Sequence, residues 1–225
     1  MVNYIQLNRS QLSIPIIIIS ILVFMSSCAS APKPEVSVVD HDQSIDKELV
    51  QEIKQLISDT YPKLLKQYNM DATKTIEVVF DKEYNGVAYA SGSKIVVNPE
   101  WLHEHPEDYD LFTHEIMHLI QQYPHRSGPS WLTEGIADYV RFKYGINNDA
   151  ANWSLPDYNS PQNYTDSYRV SARFLLWVEK YHDQNFVKKI DQHLRTHTYS
   201  EDLWKKFTGV PLDELWNLYA AKPEI

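Results

Sequence analysis

Residues 108–123, DYDLFTHEIMHLIQQY, carry the pattern from which the rest of the chain can be read. The stretch predicts a helix over Asp108–Tyr123, with His114 and His118 four positions apart on one face, one turn above the other. Two imidazoles so placed converge on one ion. Glu115 is rotated by one position, close enough to reach a water on that ion without ligating it. The H-E-x-x-H spacing is a zinc-site pattern, although a surface histidine pair beside a solvated glutamate produces it too. Imidazole nitrogen suits Zn²⁺, and a catalytic zinc needs a third protein ligand and an open position for water.

The third ligand decides between the two. Sixteen positions after His118 stands Glu134, inside a second helical stretch, Trp131-Leu132-Thr133-Glu134-Gly135-Ile136-Ala137-Asp138-Tyr139-Val140. Glu134 and Asp138 again share a face. One interpretation is a partly exposed helix with a solvated acidic pair. The other makes Glu134 the third ligand and Asp138 the acceptor for the second ring N–H of a ligand histidine, a carboxylate that fixes the tautomer and raises ligand basicity. Two helices offering His-His and Glu-Asp to one centre complete a His₂Glu site, and this is the expectation adopted. The extended form of the motif would need Gly and His where Gln121 and Pro124 stand, so it does not match. His125 is one place off register and reads as a loop residue.

Outward from these helices, the pattern predicts an α+β fold: a small, mainly antiparallel sheet, then a helical part carrying the zincin-like H-E-x-x-H helix. Ile45, Leu49, Ile53, Leu56, Ile57 and Leu64 recur at helical spacing up to about Tyr68. Thr75–Phe80, Val87–Ala90 and Lys94–Asn98 are rich in strand formers, with turns at Asn85-Gly86 and Ser91-Gly92-Ser93. Later helices are expected over Ser130–Tyr144, Asp166–Tyr181, Asn185–His197, Glu201–Phe207 and Leu212–Ala221, with Trp204 and Trp216 as core anchors. Lys94–Asn98 is either an ordinary paired strand or an exposed edge that could hold an extended peptide. His103, His105, Glu107, Asp108 and Asp110 read as the polar start of a helix rather than a second metal site.

Positions 1–28 stand apart. A polar start containing Arg9 precedes an apolar run, Leu12 to Met25, too short to span a bilayer comfortably and suited to a secretory signal. Ser26 and Ser27 lead to Cys28, the single cysteine, in a pattern resembling a bacterial lipoprotein signal in which the cysteine is lipidated. A plain secretory signal and an uncleaved anchor are the alternatives. Residues 29–44 are expected to be a flexible tether, and 45–225 a single domain. The expected location is the cell envelope, held at the membrane by the lipid. A lone cysteine makes no intrachain disulfide. The formal net charge of −9 disfavours nucleic acid as a partner, and oligomeric state is not legible.

Three segments, Phe112–His118, Glu134–Arg141 and Tyr168–Leu175, resemble the plant basic secretory protein family, which has bacterial members and is regarded as a group of zinc peptidases. The similarity runs from about Thr75 to Leu176. It implies a gluzincin-like site with Glu134 as third ligand and a peptide or protein as substrate. The acidic composition departs from the family name, and Arg169 stands where the family usually has Asp. The implied reaction is peptide hydrolysis with Glu115 as base and no covalent intermediate. Tyr168 is the candidate oxyanion donor, since related zinc peptidases use Tyr or His there, with Tyr164 and Tyr158 as alternatives. Arg173, amid Phe174 and Leu175, reads as a structural ion-pair partner. A binding lipoprotein that keeps the fold without activity is a rival, as is a zinc hydrolase of a non-peptide amide. Against the former, Glu115 is intact beside all three ligands.

Overall fold

The sheet starts earlier than the sequence suggests. In the computed structural model, which describes Met1 and residues 31–225, strand β1 (Glu35–Val39) leads into helix α1 (Lys47–Gln67), which returns the chain to β2 (Thr75–Phe80). β1 and β2 are parallel, with Val36 beside Ile76 and Val38 beside Val78. A parallel neighbour requires a crossover of a dozen or more residues, and α1 is that crossover. β3 (Ala88–Ser91) and β4 (Lys94–Val97) form a hairpin whose turn uses Gly92 at φ +64°. β4 lies parallel to β2, giving the order β1-β2-β4-β3.

Two expectations are corrected here. The sheet is mixed rather than mainly antiparallel, because β1 and its helical crossover impose parallel pairing. Residues 29–44 are not a flexible tether throughout. Val36 and Val38 pack against the core, and Asp40 accepts hydrogen bonds from the Ser44 and Ile45 backbone, which binds the segment to the start of α1. Of the two readings of Lys94–Asn98, the paired strand holds: β4 is interior, and the edges are β1 and β3. The expected signal segment, with Cys28, lies outside the described residues. Among the described residues no helix is long and apolar enough to cross a membrane.

After the sheet, Asn98 caps α2 (Pro99–Glu104), accepting from the Glu100 N–H with Pro99 at the first turn. A 3-10 turn over Asp108–Asp110 runs directly into α3 (Leu111–Gln121), which stops where Gln122 turns left-handed, at φ 44°. Then follow α4 (Ser130–Tyr144), α5 (Tyr168–Tyr181), α6 (Phe186–Arg195), α7 (Asp202–Thr208) and α8 (Leu212–Ala221). The α4 and α8 boundaries are those expected, and the others shift by a few residues at their ends.

β2 points Ile76, Val78 and Phe80 into the core, α1 packs on β1 and α3 on β3 and β4, and the two helices pack on each other. α4 packs on α3, and α5 on α4. Gly135 makes the last approach possible: a Cβ there would stand 2.6 Å from the Ser171 Cβ. Trp204 and Trp216 are buried, Trp204 stacking on Phe174 at 5.7 Å. A chain beginning at Ile45 loses β1 and exposes the edge of β2. It should be less stable than one beginning at Ala31 by about 2 kcal/mol, a melting point lower by roughly 4–8 °C in parallel thermal scans. Equal melting points would show that β1 adds nothing.

Candidate active site

The α3–α4 seam is tied by polar pairs that run in opposite directions along the two helices, so the helices are antiparallel. Gln121 Nε2 donates to the Thr133 carbonyl at 2.9 Å, His118 Nε2 lies 3.4 Å from Glu134 Oε2, and His114 Nδ1 meets Asp138 Oδ1 at 2.6 Å. The Asp108–Arg141 ion pair, also buried, closes the far end.

Three donors converge in the middle. His114 Nε2 lies 3.1 Å from His118 Nε2 and 3.3 Å from Glu134 Oε2. His114, His118 and Glu134 offer ligand atoms within 4.8 Å of one another, a set that fits a divalent metal. Each ring is aimed by its other nitrogen. Asp138 accepts from His114 Nδ1, leaving Nε2 free for a metal. The second acceptor is Gln121, which the sequence reasoning missed. Its Nε2 must donate to the Thr133 carbonyl, which can only accept. That orients its Oε1 towards His118 Nδ1, at 2.7 Å, and sets the same tautomer. The available signal was position: Gln121 is three residues beyond His118 on the same face.

Without metal, burial alone would push the His114 imidazole down, but hydrogen bonds to Asp138 and Glu134 carry its pKa up to about 10. For Glu134, burial pushes upward and the two histidines outweigh it, so its carboxyl sits well below the usual range. Glu115 behaves differently. Burial raises its pKa against the opposing pull of both histidines, and its Oε2 has no hydrogen-bond partner among the described residues.

A cleft of about 1060 Å³ opens over these groups, floored by the ligand cluster and bordered on one side by edge strand β3. Tyr168, half exposed, stacks beside His114 with ring centroids 6.2 Å apart. The negative charge of Glu134 first, and burial second, raise the pKa of its hydroxyl. Tyr168 and the preceding Ser167 both have positive φ, 48° and 68°.

The alternatives fall elsewhere. Tyr164 donates to Asp213 at 2.7 Å, and Tyr158 packs edge-on against Trp216 and Tyr219. Arg173 pairs with Asp157 and donates to the Pro223 carbonyl, a structural role as expected. His125 is exposed and does not line the cleft. The His103 to Asp110 cluster is structural. His103 bonds the Ser44 carbonyl, Asp110 accepts from Thr113 and from the Asn147 backbone, and among the described residues the His-His-Glu group alone has metal-binding spacing.

This arrangement is that of a candidate metal site lying in an open cleft. More specifically, the chain belongs to the BSP family, described as a peptidase of plants and bacteria, whose family model matches residues 27–219. No curated protein matches the sequence. Similar solved structures include a two-domain M1 zinc metallopeptidase bound to L-tryptophan, at 11% identity and TM-score 0.49, over 85% of this chain and 51% of that one. Another is the M1 zinc metallopeptidase from Deinococcus radiodurans, at 10% identity and TM-score 0.49, over 81% and 45%. The chain thus spans about half the length of these structures.

Replacing Gln121 by Leu or Asp138 by Asn should each weaken zinc binding roughly 10- to 100-fold, read by chelator competition at fixed pH. Wild-type affinity in either variant would mean that its ring is oriented by other contacts.

Proposed function

We propose that the protein is a zinc-dependent, gluzincin-like peptidase with a zincin-like fold, in which His114, His118 and Glu134 hold the metal and Glu115 is the general base. The observation that carries this is the buried Glu115 Oε2, without a partner among the described residues, beside a three-donor cluster. A buried carboxylate oxygen left without a protein partner beside a cluster of metal donors is placed to take a proton from a water there. Bound zinc supplies Lewis-acid polarisation of the scissile carbonyl and acidifies a water.

The side chains supply the rest. Glu115 takes a proton from the attacking water and gives it to the departing nitrogen as the C–N bond breaks, so hydroxyl ends on the carbonyl carbon and hydrogen on the amine. Burial raises its pKa, which strengthens Glu115 as the acceptor of the first proton. Tyr168 keeps its hydroxyl proton and can donate to the developing oxyanion from the rim. Asp138 and Gln121 hold the two imidazoles in register. The substrate lies extended along β3, whose free edge borders the cleft and offers backbone pairing. Export and a lipid anchor at Cys28 are proposed from residues 1–28 alone.

Zinc-loaded protein should cleave members of a mixed peptide library, with products read by mass spectrometry. Glu115→Gln should keep one zinc and lose about 10²- to 10⁴-fold in rate. Undiminished cleavage by that variant, or a wild type that takes up no zinc, would overturn the proposal. Tyr168→Phe should lower kcat by roughly 10²-fold while KM moves little. A change confined to KM would instead make Tyr168 a substrate contact.

A further inference from the structure

The cleft extends beyond the metal donors towards the N-terminal end of α3, and its lining there changes character. Arg141 lies three residues past Asp138 on α4, about one helical turn along. It is 5% exposed, yet it lines the cleft. Its Nη2 donates to Asp108, its Nε donates to Asn148 at 3.1 Å, and its guanidinium lies 4.2 Å over the Trp153 ring. Asp108 is spent on this arrangement, because its other oxygen accepts from Trp101 Nε1 at 2.8 Å. Arg141 Nη1, however, has no partner among the described residues and is not one of the sealed buried atoms, so it reaches solvent. The next residue of the same loop, Ser154, accepts from Arg169 Nη1 at 3.3 Å. Arg169 also lines the cleft and is exposed, without an ion pair among the described residues. Two guanidiniums therefore flank Trp153-Ser154, one clamped by Asp108, Asn148 and the Trp153 ring and the other held to the Ser154 carbonyl.

Planar guanidinium donors held by packing match the planar oxygen pair of a carboxylate, and donors fixed in advance favour such a ligand over a neutral amide of the same shape. A solvated surface charge accounts for Arg169 alone. It does not account for a nearly buried Arg141, stacked on an aromatic ring, that lines the same cleft with one donor unpartnered among the described residues.

We propose that Arg141 and Arg169 form a carboxylate-binding subsite, so that the preferred substrate carries a negative charge near the scissile bond, as an Asp or Glu side chain or as the chain-terminal carboxylate. The subsite rests on the peptidase assignment above for its place in catalysis, but it binds carboxylate independently of turnover.

The probes are short alanine peptides, acetylated and amidated, in which Glu or Gln is walked through each position, and the same all-alanine peptide with a free C-terminus. Binding is measured on metal-free protein by calorimetry, which removes direct carboxylate–metal ligation, and kcat/KM on the zinc enzyme. At least one carboxylate form should bind about ten-fold tighter than its neutral counterpart, and the same form should be favoured in kcat/KM. Preference for Glu over Gln identifies a side-chain subsite, and preference for the free terminus identifies end recognition. In Arg169→Gln the discrimination should fall to about two-fold or less, with Arg169→Lys restoring part of it. Arg141→Lys tests the clamped partner with less risk to the fold. Equal binding of charged and neutral peptides by the wild-type protein overturns the subsite, whether or not the enzyme cleaves. Discrimination in binding without any cleavage supports the subsite and counts against the peptidase assignment instead.

Discussion

The antiparallel seam between α3 and α4 is the constraint on which the rest depends. Every proposed metal ligand sits on these two helices, and every hydrogen bond that aims a ligand ring runs between them or along α3. Asp138 to His114 and Gln121 to the Thr133 carbonyl fix the relative slide of the helices as well as the ring tautomers. Shifting α4 by one residue would move Glu134 about 1.5 Å along the axis and rotate it off the shared face. The buried Asp108–Arg141 pair blocks that shift at one end, and the Gln121 amide blocks it at the other.

The two histidines are supported unequally. His114 faces a buried carboxylate and His118 a neutral amide. A charged acceptor makes the stronger hydrogen bond and the more basic ligand. The cost of burying so much polarity is met by mutual satisfaction, since among the described residues only Glu115 Oε2 and Arg173 Nε are sealed without a partner. Of these, Glu115 alone faces the cleft, so the local deficit falls on the group proposed to handle protons.

Tyr168 is held in place by strain as well as by packing. Ser167, at φ 68° and ψ −177°, occupies a region that is essentially glycine's, and such residues cost about 1–3 kcal/mol each. Its neighbours over-determine it: a reciprocal Asn163–Asp166 cap, the Tyr164–Asp213 hydrogen bond, and Ser171 Oγ donating to the Tyr164 carbonyl at 2.6 Å. Ser171 is also the residue that Gly135 admits. The contact that brings α5 onto α4 thus also sets where the tyrosine stands, beside His114 at the rim of the cleft.

From sequence alone, helical periodicity was enough to locate both helices of the candidate site, the His114–His118 and Glu134–Asp138 faces, and Glu115 between the histidines. These are local facts: a four-residue repeat determines which side chains share a face whatever the helix packs against. The first strand was not legible, because five residues of alternating valine in a Ser- and Pro-rich stretch look like linker until a parallel neighbour accepts their backbone groups. The identity of the sheet edge was equally hidden, since strand order depends on pairings between distant segments. Gln121 carried no chemical signature of its own; only the approach of the Thr133 carbonyl turns its amide and makes it a partner for His118. Tyr168, one of fifteen tyrosines, was singled out by resemblance, and its separation from Tyr164 and Tyr158 came from tertiary structure. Which aromatic ring reaches a site depends on how helices cross, and residue spacing does not encode that angle.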